Sequence, residues 1–119
     1  MNIASFTIIL LIILIHIYIA YLEMIAWTTR GPKVFRKFPP QMFQVTKAMA
    51  GNQGLYNLFL AGGLTWSLLI QDNIWAIYIA IFFLCCVTVA GIYGAVTVQS
   101  SILYIQSIPA ILGLIALHL

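Results

Sequence analysis

Long apolar runs alternate with short polar breaks along this chain. Four runs can be marked, at about 3–27, 50–70, 74–98 and 101–118. A basic stretch at 28–48 separates the first two. The turn Gln71-Asp72-Asn73 and the neighbourhood of Gln99 separate the others. Crossing a bilayer takes roughly 17–25 helical residues, so each run is long enough. Backbone polar groups in lipid are satisfied only by helices or closed barrels, and these runs are too continuous for alternating barrel strands. The pattern predicts an all-α, integral membrane four-helix bundle that uses residues 1–119 as a single transmembrane domain, with no soluble domain beside it.

Composition agrees with this pattern. The chain is 64% hydrophobic and 6% charged, against about a quarter charged in soluble domains. The first run begins without a basic leader region, has too long an apolar core for a signal peptide and is followed by no small-residue cleavage site, so it reads as a retained helix. All five Lys and Arg residues, Arg30, Lys33, Arg36, Lys37 and Lys47, lie between the first and second runs, and Asp72 lies in the opposite turn. The positive-inside rule then predicts a cytoplasmic basic first loop and N and C termini outside, in a multi-pass protein of the plasma membrane. This accounts for the net charge of +3 without nucleic acid. The loop would also meet anionic headgroups. Pro39-Pro40 interrupts it, and residues 41–49 read as a short interfacial helix carrying Met42, Phe43, Val45 and Met49.

Against this background Glu23 stands out as the one acidic side chain inside an apolar run. A carboxylate in hydrocarbon must be paired, protonated or turned to a polar cavity, so it marks a candidate site. At 1.5 Å rise per residue it lies about 6 Å inside Trp27, which reads as an interface residue. Asn52, Gln53, Tyr56 and Asn57 open the second run from the same side. Tyr93 and Thr97 close the third, and Gln99 and Gln106 frame the start of the fourth. Helical periodicity puts His16, Ala20, Glu23 and Trp27 on one stripe, and Cys86, Ala90, Tyr93 and Thr97 on another. Turned inward, these faces predict a polar pocket on the cytoplasmic side, with His16 roughly 10 Å deeper than Glu23. The alternative is a structural layer of interhelical hydrogen bonds, worth about 0.6–2 kcal/mol each.

Other candidates carry less chemistry. His16 reads equally as a proton shuttle or ligand contact and as a hydrogen-bonded structural histidine. His118 is terminal. One His, one Glu and the adjacent Cys85 and Cys86 make no zinc pattern, so no metal and no cofactor are expected. Buried cysteine usually packs rather than reacts, which argues against Cys86 as a nucleophile. Gly91 and Gly94, three apart, and the Gly62-Gly63 pair read as close-approach positions. Gly51 and Gly54 flank Asn52-Gln53 and read as loosening that helix start. Pro109 is expected to kink the fourth run and free a carbonyl near Ile105.

The run His16…Tyr21-Leu22-Glu23-Met24…Trp27, then Asn52-Gln53-Gly54-Leu55-Tyr56-Asn57, Ala90-Gly91-Ile92-Tyr93-Gly94 and Gln106…Pro109-Ala110 resembles a small bacterial four-helix membrane family catalogued only as a domain of unknown function. The resemblance covers nearly the whole chain and implies no activity. The layout is also similar to the membrane-associated proteins of eicosanoid and glutathione metabolism, trimeric four-helix proteins with a site between subunits. Asn52, Tyr104 and Pro109 carry that likeness. Those enzymes hold glutathione with arginine and a second-span glutamate, and runs two to four here contain no Arg, Lys or Glu. The likeness therefore implies topology rather than glutathione chemistry. A single first-helix glutamate is similar in kind to the small multidrug resistance transporters.

These observations lead to one expectation about function. Glu23, His16, Trp27, Asn52, Gln53, Tyr56, Asn57, Tyr93 and Gln106 would bind an amphipathic small molecule or lipid, its polar head among them and its tail among outer-half side chains. A cationic head would stack on Tyr56, Tyr93 or Trp27. The alternatives are a membrane enzyme on a lipophilic substrate, a proton-coupled transporter, and a structural or accessory subunit. A homo-oligomer, dimer or trimer, is expected because the small-residue stripe on the third run is free to meet a neighbour.

Overall fold

A computed structural model describes all residues, Met1–Leu119. The fold is all-α, with six helices and no strands. Helix α1 spans Ile3–Met24; Asn2 caps it by accepting from the Ser5 amide at 2.8 Å. The same Asn2 side chain donates to the Ala116 carbonyl at 2.7 Å, tying the start of α1 to the end of the chain's last helix. After Met24 the chain turns, and the Ala26 carbonyl accepts from both Arg30 and Gly31 at 3.0 Å. Two single-turn helices follow, α2 (Gly31–Val34) and α3 (Met42–Val45), with Pro39-Pro40 between them. Pro32 sits in the first turn of α2, where a missing amide costs nothing.

Helix α4 runs over Lys47–Leu69 and α5 over Asn73–Thr97. Asp72 starts α5, its carboxylate accepting from the Ile74 and Trp75 amides at 3.0 and 3.2 Å. Beyond a short linker the chain forms a π-helical turn at Leu103–Ser107, and α6 continues over Ile108–Leu117. The expected disturbance at Pro109 takes this form. Proline cannot bond back to Ile105, and the widened turn instead lets the Ile108 amide reach the Leu103 carbonyl.

The long elements meet as neighbours around a ring: α1 with α4, α4 with α5, α5 with the π-turn and α6, and α6 with α1. Ile9, Ile12 and Ile13 of α1, Ala61 and Leu64 of α4, Ala80, Leu84 and Val87 of α5 and Ala110 of α6 form one buried cluster. It lies in the half away from the basic loop. The outside is apolar too: Leu10 and Ile17 of α1, Leu55 and Trp66 of α4, and Phe82, Val89 and Val96 of α5 are all exposed. Helices α1 and α5 are long and apolar enough to cross a membrane, with mean hydropathies of 2.7 and 2.4 over their best windows.

Two glycines set the helix spacing. A Cβ on Gly54 would come within 3.1 Å of the Ala20 carbonyl and of the Glu23 side chain, so its absence lets α4 lie directly on α1. Gly54 thus serves close packing rather than loosening the start of α4. A Cβ on Gly91 would strike Ser107 and Gln106, so the π-turn docks on α5 only because that position is bare. Gly94 likewise faces Ile102. The small-residue stripe of α5 is therefore covered by the chain's own last segment and is not free to meet a second subunit, as the sequence had suggested. The expected helix at 41–49 divides: Met42–Val45 is α3, and Met49 belongs to α4.

Candidate functional site

In the half nearer the basic loop the helices part around an open cavity of about 1480 Å³, on whose walls Tyr56, Tyr93 and Tyr104 stay more than half exposed. Its walls come from α1 (Ile15, Ile19, Glu23), α4 (Gln53, Tyr56, Asn57), α5 (Cys86, Ala90, Tyr93) and the π-turn (Tyr104, Ile105, Gln106). Apolar side chains dominate, and the polar groups are few and placed at particular points, as in ligand sites generally.

One polar contact joins α1 to α4. Asn57 is 4% exposed, and its side-chain amide donates to Oε1 of Glu23 at 2.5 Å. The close approach at Gly54, one turn before Asn57, brings the two side chains within reach. Glu23 itself is half-buried on the cavity wall. A carboxyl group offers two oxygens and about four lone-pair sites, so one amide leaves it able to accept from a ligand hydroxyl or amine.

A second polar contact closes the space between α1 and the π-turn. His16 Nδ1 lies 2.9 Å from the Ile12 carbonyl, which can only accept, so Nδ1 carries the proton. Nε2 then accepts from the Gln106 side-chain amide at 3.2 Å. Both residues are buried, His16 completely. Ser107 adds a bond from its hydroxyl to the Thr88 carbonyl at 2.8 Å. His16 is not on the cavity wall and both its nitrogens are engaged, whereas Gln106 does line the cavity. The geometry thus makes His16 a structural latch.

The other expected residues divide. Gln53, Tyr56 and Tyr93 line the cavity; Asn52 is exposed and does not. Trp27 lies beyond the end of α1, so the helical stripe from His16 through Glu23 stops short of it. Its indole N–H donates to the Thr46 hydroxyl at 3.0 Å. Its ring packs with Phe35, Phe38 and Phe43 at centroid distances of 5.4, 5.8 and 4.9 Å. Trp27, Phe35 and Phe38 border the loop end of the cavity, and Phe43 is buried beneath them.

Three features escaped the sequence reading. One is this aromatic cluster; three Phe residues in a loop otherwise explained by charge were its signal. Another is Arg30, whose Nε donates to the Tyr18 hydroxyl at 2.5 Å while its guanidinium sits 5.8 Å from the Tyr18 ring centroid. The hydrogen bond to Tyr18 raises the Arg30 pKa further, which leaves its charge fixed. The third is a small polar notch between the loop residues Val34, Arg36 and Lys37 and the linker Gln99–Ser101. It joins segments more than sixty positions apart, and no local pattern announces it. No group of three or more His, Cys, Asp or Glu residues comes together to hold a metal ion.

Among known proteins, a family model described as "Protein of unknown function (DUF1304)" matches residues 10–118. No curated protein and no solved structure matches this chain.

Proposed function

We propose that this chain, which belongs to the DUF1304 family, is an integral membrane protein of four spans that binds an amphipathic small molecule or lipid in the cavity beside Glu23. The spans are α1, α4, α5 and the composite segment of π-turn and α6, arranged as one bundle. The apolar exterior supports this: lipid-facing side chains need no water, and both candidate crossing helices carry such a face. All five cations lie at one end, which supports a cytoplasmic basic loop with both termini outside.

One observation carries the functional reading. The cavity wall is mostly apolar, and the Glu23–Asn57 pair is set into it at the α1–α4 contact. An acyl or other apolar chain suits the walls, and a hydrogen-bond donor on the ligand suits the carboxyl. Tyr56 and Tyr93 offer ring faces on the same wall. His16, Gln106 and Ser107 hold the π-turn wall in place.

The test is mass spectrometry of the lipids and small molecules that co-purify with the protein, beside a Glu23→Gln variant. Gln keeps an oxygen for Asn57, so the variant is expected to fold. A defined species enriched on the wild type and depleted on the variant is the expected result. The same bulk-membrane profile on both would overturn the reading.

A proton-coupled carrier is the second reading. It is favoured by the placement of the cavity in one half and the close-packed core in the other. It predicts pH-gradient-driven uptake into proteoliposomes that Glu23→Gln abolishes; uptake unchanged by that substitution would rule it out.

A further inference from the structure

The notch between the basic loop and the α5–π-turn linker has a chemistry the main cavity lacks. Its volume is about 200 Å³, the liquid volume of about six or seven waters. Five of its six lining residues are polar or cationic: Arg36, Lys37, Gln99, Ser100 and Ser101, with Val34 the exception. The hydrogen bonds already present leave donors available. Arg36 uses Nε on the Lys33 carbonyl, which leaves its two terminal nitrogens. Gln99 donates to the Ser101 hydroxyl at 2.6 Å, which leaves the Ser101 O–H free to donate.

No carboxylate serves these cations. The chain has two acidic residues. Glu23 bonds Asn57, and Asp72 bonds amides at the far end of α5. The notch is thus bordered by two cationic side chains, Arg36 and Lys37, without an anion of its own. It also adjoins the cavity, since Val34, Gln99 and Ser101 line both. In the cavity, 22 of the 32 lining residues are hydrophobic and none is a lysine or arginine.

We propose that the notch is the headgroup site for the cavity's ligand, and that this ligand is an amphiphile bearing a phosphate, held by Arg36, Lys37 and the Ser100 and Ser101 hydroxyls with its apolar chain in the cavity. This rests on the reading of the cavity given above and deepens it. Arginine suits the phosphate because its fork matches two oxygens, and hydroxyl donors complete the shell. The arrangement differs from a polybasic surface. Arg30 is held by Tyr18, and Lys33 and Lys47 line neither space.

The experiment uses the full chain in a nonionic micelle, with native mass spectrometry counting bound ligand. The probes are a lysophosphatidic acid, the monoacylglycerol of the same chain, and inorganic phosphate. The phosphorylated amphiphile is expected to bind at least about tenfold more tightly than the neutral one. Lys37→Ala, which removes an exposed side chain, is expected to reduce that advantage and Arg36→Ala/Lys37→Ala to erase it, with monoacylglycerol binding the same in all three proteins. Lys47→Ala is expected to preserve the advantage. Equal binding of the two amphiphiles to the wild type would overturn the headgroup site and leave the cavity reading standing. If neither amphiphile binds, the cavity reading itself fails. Inorganic phosphate saturating the protein as tightly as the phosphorylated amphiphile would assign the notch to free phosphate and overturn the proposal.

Discussion

Replacing Glu23 and Asn57 by leucine, singly and together, separates the energy of their hydrogen bond from everything else at the α1–α4 contact. Asn57 is 4% exposed and donates to Glu23. Glu23→Leu therefore strands a buried amide, at a cost of about 2 kcal/mol from the 1–3 range for an unsatisfied buried group. Asn57→Leu strands a carboxyl that lies half-buried on a cavity wall, where water can replace the amide, so its cost is smaller, about 1 kcal/mol. The double variant removes both polar groups and leaves two apolar side chains of similar volume, which is close to neutral. The predicted coupling is thus about 3 kcal/mol, with Glu23→Leu the worse single change. Reversible unfolding in mixed micelles, run on all four proteins, reads it directly. Additivity within about 0.3–0.5 kcal/mol would refute the reasoning, as would Asn57→Leu being the more damaging change.

Glycines give a matched comparison. A Cβ on Gly91 would lie 2.7 Å from the Ser107 amide nitrogen, whereas one on Gly62 would meet nothing within 4 Å. Gly91→Ala is expected to cost about 1–3 kcal/mol by overpacking, while Gly62→Ala gains about 0.5–1 kcal/mol of helix stability; the same unfolding assay shows whether the signs differ. Trp27→Phe keeps the aromatic packing but loses the bond to Thr46. It should cost about 0.5–1.5 kcal/mol and speed amide exchange across residues 27–46 while leaving α5 unchanged.

The all-helical class was legible because it rests on the most redundant signal in the chain, apolar runs too long for strands. The end of α1 was less so. The run continues through Trp27, but the helix stops at Met24, because Ala26 takes up the Arg30 and Gly31 amides in a turn that only the folded loop explains. Periodicity grouped His16 with Glu23, yet it is blind to which side chain meets a partner. His16 faces Gln106, whose position depends on a π-turn that shifts the phase of the last segment. Pro109 signalled a disturbance there without fixing its form. Glu23 and Asn57, identified separately by their cost in an apolar setting, are joined through Gly54, a contact that no single-helix pattern encodes. The notch of Arg36, Lys37 and Gln99–Ser101 was invisible for the same reason.

The central claim is that the space between the helices holds an amphiphile rather than bulk lipid, and photolabelling with a diazirine-tagged acyl amphiphile tests it most directly. Ile19, Leu60 and Ala90 line the cavity, whereas Phe82 and Val89 face outward and do not. The account predicts saturable labelling at the first group, competed away by unlabelled amphiphile, and labelling at Phe82 and Val89 that competitor leaves unchanged. Labelling that rises without saturation at both groups, with no competition at Ile19, Leu60 or Ala90, would contradict it.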